Sequence, residues 1–136
     1  MNRSDIISEI RALCLPLRQY VVVGGAAMAV RGIRETDDID LVVTASLFEE
    51  LERSGWDRKQ RPNGKPGLRL GRVEVYLDVN TSEFERSTLW LLDRAELVDG
   101  IPLVDLETLA GFKASYGRVK DVDDLALLAG RMEAHR

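Results

Sequence analysis

Residues 20–43 read YVVVGGAAMAVRGIRETDDIDLVV, and the parsing of that string decides the fold. The run Tyr20, Val21, Val22, Val23 is aromatic and β-branched and stops at Gly24-Gly25, the pattern of a short strand ended by a tight turn. Residues 26–31 then have the character of a helix closed by Gly32. Residues 39–43 are apolar except at Asp40, as a second buried strand would be. Ser46 and Glu49 form a capping box for a helix running to Gly55, so strand and helix occur twice in succession. This alternation predicts an α/β (α+β) domain in which a short mixed sheet is flanked by helices.

Upstream, Ser4 is placed to cap a first helix with Ile6, Ile7, Ile10, Leu13 and Cys14 on one face, closed by Pro16. Downstream, residues 57–72 carry Arg58, Lys59, Arg61, Lys65, Arg69 and Arg72 against the single acid Asp57, with turn residues at 62–64 and 66–67. They read as an exposed loop or hairpin. Residues 73–79 alternate, with Val73, Val75, Leu77 and Val79 on one face and Glu74, Tyr76 and Asp78 on the other, as in a half-exposed strand. Asp99-Gly100 marks a small hairpin between residues 96–98 and 101–103. Asp105 caps a helix through Tyr116, Gly117 ends it, and residues 120–132 form a closing helix.

The chain has 136 residues, which suits one domain over 1–136. Hydrophobic residues make up 45% and charged residues 31%, enough for a core and a well-solvated surface, and not the composition of a disordered chain. A formal charge of −4 argues against coating nucleic acid by bulk electrostatics. Cys14 is the only cysteine, which excludes an intramolecular disulfide and a cysteine-rich zinc site. The N-terminus lacks a secretory apolar segment and no run has the length of a membrane helix, so the expected setting is cytoplasmic with no membrane partner. His135, the only histidine, lies at the chain end, a poor position for a catalyst. Trp56 and Trp90 are expected as core or interface anchors, and Cys14 as packing.

The chemistry concentrates at Asp37-Asp38-Ile39-Asp40. Residues two apart on a strand share a face, so Asp38 and Asp40 project together while Asp37 points elsewhere, into solvent. Two unpaired carboxylates this close raise each other's pKa, and a hard divalent cation relieves the conflict. An Asp-x-Asp by itself is common, as is a Gly-Gly turn, and the phosphate loop ending in Gly-Lys-Ser/Thr is absent. Glycine after a strand does allow backbone N–H groups to approach phosphate closely.

In combination these residues are more specific. Gly24-Gly25 followed by Arg34-Glu35-Thr36-Asp37-Asp38-Ile39-Asp40-Leu41 resembles the nucleotidyltransferase superfamily that includes polymerase β-like enzymes. Within it, the segment is similar to the small bacterial AbiEii-like branch of toxin–antitoxin and abortive-infection systems. The resemblance continues at Leu77-Asp78-Val79, which matches a third acidic strand. It extends to Leu109-Ala110-Gly111-Phe112-Lys113 and to Arg118-Val119-Lys120-Asp121-Val122-Asp123-Asp124-Leu125, which look like the family's lysine helix and its sequel.

The resemblance implies a minimal nucleotidyltransferase fold and transfer of a nucleoside monophosphate from a nucleoside triphosphate to a hydroxyl acceptor. Asp38, Asp40 and Asp78 would be catalytic and hold Mg²⁺ or Mn²⁺, with Glu74 the rival to Asp78. Gly24, Gly25, Arg34 and Lys113 would bind the nucleotide, leaving Lys120 and Asp121 structural. Larger relatives carry a helical domain that shapes the acceptor pocket, and this chain ends soon after the core. The acceptor, an RNA, a protein or a small molecule, would therefore be held by a second copy in a homodimer, by a partner protein, or by the basic residues 58–72. Two other readings stand beside this one. The chain could be a nucleotide-binding regulatory module without transfer, or an interaction domain whose carboxylates pair with Arg31 or Arg34 instead of metal.

Overall fold

The computed structural model describes residues 1–134, so the expectation for His135 falls outside the described residues. The elements in order are α1 (Arg3–Ala12), β1 (Tyr20–Val23), α2 (Gly24–Ala29), β2 (Ile39–Val43), α3 (Ala45–Arg53), β3 (Asp57–Gln60), β4 (Pro66–Leu70), β5 (Val73–Tyr76), α4 (Thr88–Asp93), β6 (Glu96–Val98), β7 (Ile101–Leu103), α5 (Leu106–Tyr116) and α6 (Val119–Ala134). The strands form one mixed sheet in the order β3-β4-β5-β2-β1-β7-β6. This is the mixed sheet flanked by helices that the sequence predicts.

The sheet centre explains why residues 20–43 read so clearly. Every residue of β1 is buried, and so is every residue of β2 except Asp40, so both faces of these strands are covered. That requires the continuous apolar runs seen in the sequence. β2 lies between β1, which it pairs antiparallel, and β5, which it pairs parallel. The register sets Val23 opposite Asp40 and Asp40 beside Glu74. The glycine turn after β1 and two acidic positions are thus brought to one place by backbone pairing alone.

Local signals account for most element ends. Asp105 accepts from Thr108 N at the start of α5, and Gly117 ends that helix in the left-handed region at φ 63°. The hairpins β3–β4 and β6–β7 form where the sequence places them. Other boundaries differ. α1 is capped by Asn2, not Ser4, because the Asn2 side chain accepts from Asp5 N while the Asp5 carboxylate accepts from Asn2 N. Cys14 falls just beyond the helix with φ 50° and is exposed rather than packed. α3 is capped by Thr44, which follows β2 directly and accepts from Leu47 N, so the Ser46 box is not used. α4, capped by Ser87, was not legible as a helix.

β5 stops at Tyr76, short of the expected Val79. The Asp78 carboxylate accepts from Asn80 N, and Arg61 Nη1 donates to the Asp78 carbonyl, which turn the chain out of the sheet. Trp56 is a core residue as expected. Trp90 is 41% exposed, with the Arg86 and Arg94 guanidinium groups over its ring. No described helix is long and apolar enough to cross a membrane.

Candidate functional site

The site begins where β1 runs into α2. Gly24 has φ +62°, and a Cβ there would stand 3.3 Å from Asp40 Oδ2. A Cβ on Gly25 would stand 2.7 Å from Thr36 Oγ1 and 3.0 Å from Arg34 Nη2. Gly25 is therefore constrained by space and Gly24 chiefly by its left-handed backbone conformation. The absence of side chains lets the loop carrying Arg34, Thr36, Asp38 and Asp40 lie against the turn. No side chain caps the start of α2, which leaves its first N–H groups open to the same space.

Asp38 is exposed and Asp40 partly buried, both at the same end of β2. Among the described residues neither carboxylate has a hydrogen-bonding or ion-pairing side chain, whereas four other acids around the site do: Glu74 holds Lys59, Asp78 holds Lys65, Asp121 holds Arg118 and Asp124 holds Lys113. Burial pushes the Asp40 carboxyl from 3.8 up to about 6, and the charges of Glu74 and Asp38 push the same way against Lys59 and Lys120. Such a group is out of balance with its surroundings. A divalent cation on Asp38 and Asp40 would reverse that imbalance, so the donor set fits a hard metal ion. Among the described residues no group of three acidic, histidine or cysteine side chains converges as a complete metal cluster.

The third carboxylate beside the pair is Glu74, through the β2–β5 register. Like Glu74, Asp78, which the sequence favoured, does not line the cavity that Asp38 and Asp40 share. Its Oδ1 accepts from Lys65 Nζ at 2.9 Å and from Asn80 N at 3.1 Å, because the chain has already left the sheet. Glu74 is itself engaged: burial raises its pKa, but Lys59 and the Tyr76 hydroxyl outweigh this and hold the carboxyl below its ordinary value.

The cations come from the two C-terminal helices. Lys113 is only 4% exposed, so it is neither a solvated helix lysine nor a freely projecting one. Its Nζ lies 2.9 Å from Asp124 Oδ2 and 3.7 Å from Asp121 Oδ1. Asp124 also accepts a two-pronged bond from Arg34, at 2.7 Å from Nε and 2.9 Å from Nη2. Burial opposes ionisation of Asp124, but the Arg34 and Lys113 bonds outweigh it and lower its pKa. Asp121 is likewise lowered, against burial, by Arg118. Asp121 is thus held inside the fold by Arg118 and Lys113. One carboxylate thus ties the glycine-side loop to α5 and α6, and it orients two cations toward the cavity.

Lys120, read from sequence as structural, lines the cavity and its charge acts on Asp40. Arg118 and Thr36 also line it and were not singled out. The fold-back of α6 on α5 brings Arg118 and Lys120 here, and both lie in the 118–125 stretch on which part of the family resemblance rests. Arg31 bonds Glu96 and the Ala27 and Val104 carbonyls, and Arg34 bonds Asp124. Neither pairs with Asp38 or Asp40, contrary to the interaction-domain expectation. The basic residues of the β3–β4 hairpin are largely spent on neighbours: Arg58 on Glu52, Lys59 on Glu74 and Lys65 on Asp78.

These groups enclose a cavity of about 130 Å³ with Gly24 and Gly25 on one side, Asp38 and Asp40 on another, and Arg34, Lys113, Arg118 and Lys120 around it. Acids that can hold a cation and cations that can hold an anion face each other across it. No protein-family model and no curated protein matches the sequence. A crystal structure from Thermotoga maritima, described as a "putative nucleotidyltransferase", is similar with a TM-score of 0.63 over 96% of each chain at 20% identity. The likeness shows that the chain has a nucleotidyltransferase-like fold.

Proposed function

We propose that the protein is a metal-dependent nucleotidyltransferase that moves a nucleoside monophosphate from a nucleoside triphosphate to a hydroxyl acceptor. The observation that carries this reading is the unpaired Asp38–Asp40 couple set against the glycine turn within a ring of cations. Asp38 and Asp40 would hold Mg²⁺ or Mn²⁺, with Glu74 in place of Asp78 as the third carboxylate. Bound there, such an ion would neutralise phosphate charge and lower the pKa of the attacking hydroxyl.

The chain's own groups divide the remaining work. The Gly24 and Gly25 backbone lets phosphate oxygens approach closely. Arg34 and Lys113, held by Asp124, offset charge on the triphosphate, and Lys120 adds a further cation at the rim. In the transfer, the acceptor oxygen bonds to the α-phosphorus and the bond from that phosphorus to the β-phosphate oxygen breaks. Pyrophosphate leaves, and the hydroxyl proton passes to solvent at the open side of the cavity. The AbiEii-like resemblance supports a toxin–antitoxin setting as part of the same proposal.

A second reading, a nucleotide-binding module without transfer, draws on one observation: Lys113 and Arg34 already share Asp124 and have to retain or exchange that partner when phosphate arrives. Thermal melts with each ribonucleoside triphosphate, with and without Mg²⁺ or Mn²⁺, test the site on wild type and Asp40→Asn. Label from α-labelled nucleotide appearing on an acceptor then separates transfer from binding alone. If wild type shows no metal-linked stabilisation at millimolar nucleotide, both readings fail.

A further inference from the structure

The cavity at the glycine turn meets a second, larger cleft of about 490 Å³, and Asp40, Val79, Tyr116 and Arg118 line both. The far wall of the second cleft is built by Arg61, Asn63, Tyr76, Asn80, Thr81 and Ser115, with Glu83 as its other acid. Arg61 is fixed over the Tyr76 ring at 4.4 Å while its Nη1 donates to the Asp78 carbonyl at 2.7 Å. Arg118 lies 5.1 Å from the Tyr116 ring centre and gives Nε and Nη2 to Asp121. The Tyr116 hydroxyl donates to the Val79 carbonyl, so the wall between the cavities is itself anchored.

From these contacts we infer that the second cleft is the acceptor site, and that the acceptor carries a phosphate group held by Arg61 and Arg118 while its hydroxyl reaches Asp40. The inference rests on the transferase reading above. Its chemistry follows from the donors left over. Among the described residues Arg61 keeps Nε and Nη2 without a protein partner, Arg118 keeps Nη1, and Asn80 uses only its oxygen, which accepts from Arg86 N. N–H groups outnumber acids in this cleft, and guanidinium groups match phosphate oxygens in shape and charge. Both guanidiniums act on one phenol: burial pushes Tyr116 up to about 12, with Arg61 and then Arg118 opposing the rise. A serine or threonine on a protein surface would bring no anion for this pair. A nucleic-acid chain end or a small phosphorylated compound would.

The test uses ribose 5-phosphate, a single-stranded RNA tetramer and, as control, ribose. Each is titrated into ¹⁵N-labelled protein saturated with Mg²⁺ and a non-transferring α,β-methylene ATP. The phosphate-bearing probes should shift the Asn80, Thr81 and Ser115 amides and ribose should not. Arg61→Leu should weaken that response about tenfold and change affinity for the ATP analogue by less than about twofold. If the hairpin misfolds in that variant, Arg61→Gln, which can still donate to the Asp78 carbonyl and lies outside the nucleotide cavity, should show the same selective loss. A tetramer that binds tenfold tighter than ribose 5-phosphate identifies a chain end, and equal binding identifies a small compound. Bound analogue with no phosphate response at these amides, or an equal response in the variants, overturns the acceptor assignment alone. No binding of the analogue to wild type overturns the transferase reading and the acceptor role with it.

Discussion

Replacing Asp40 with asparagine should stabilise the metal-free protein near pH 8 and remove its response to metal and nucleotide. The Asp40 carboxyl titrates near 3.8 when solvated and near 6 in the fold, raised first by burial and then by Glu74 and Asp38. Below pH 3.8 both folded and unfolded chains hold the proton, and the group costs nothing. Between 3.8 and about 6 the folded chain binds more protons than the unfolded one, so stability falls as pH rises through that window. Above it the loss is complete and constant.

The gap between the two values corresponds to about 3 kcal/mol as an upper bound, and water at the cavity mouth reduces this to about 1–2 kcal/mol. Asparagine keeps the shape and removes the charge. In EDTA at pH 8, calorimetry should show the variant melting about 3–6 °C above wild type for a chain of this size, with the difference nearly gone at pH 4. Adding Mg²⁺ and the preferred nucleoside triphosphate should raise the wild-type Tm and leave the variant unmoved. A variant that melts at or below wild type in EDTA at pH 8 would refute the claim that Asp40 is held ionised against its surroundings.

Three further outcomes follow from the same geometry. Gly25→Ala places a methyl against Thr36 Oγ1 and Arg34 Nη2; it should cost about 1–2 kcal/mol by denaturant titration and weaken nucleotide binding more than Gly130→Ala, whose added Cβ meets no neighbour within 4 Å. Glu74→Gln should abolish metal-linked stabilisation while Asp78→Asn leaves it intact, and the reverse pattern would restore Asp78 as the third carboxylate. Asp124→Asn should destabilise by about 3 kcal/mol, because Lys113 stays buried with a weaker partner. A double-mutant cycle with Lys113→Met should recover part of that loss, and strict additivity would argue against the pair.

Local chemistry made much of this molecule legible in the chain itself. Tyr20–Val23 and residues 39–43 could be read as central strands because burial on both faces demands unbroken apolar runs. The Asp105 cap and the Gly117 stop were equally clear, since each acts within one helical turn. Gly24, Gly25, Asp38 and Asp40 could be grouped through the family resemblance of the segment that holds them, and the carboxylates lie at the same end of β2.

What the chain order did not reveal depends on distance in sequence. The choice between Asp78 and Glu74 turns on the parallel register of β5 against β2 and on where β5 ends, and both carboxylates alternate identically along the chain. Lys113 looks like any helix lysine until α6 folds back and brings Asp124 to it. The same fold-back carries Arg118 and Lys120 to the cavity. The basic run at 58–72 reads as an exposed loop or hairpin, but only pairing in the sheet hands Lys59 to Glu74 and Lys65 to Asp78 and leaves Arg61 with open donors. A side chain's charge is written in the sequence, but whether that charge is neutralised, buried or left for a ligand depends on neighbours supplied by other elements of the fold.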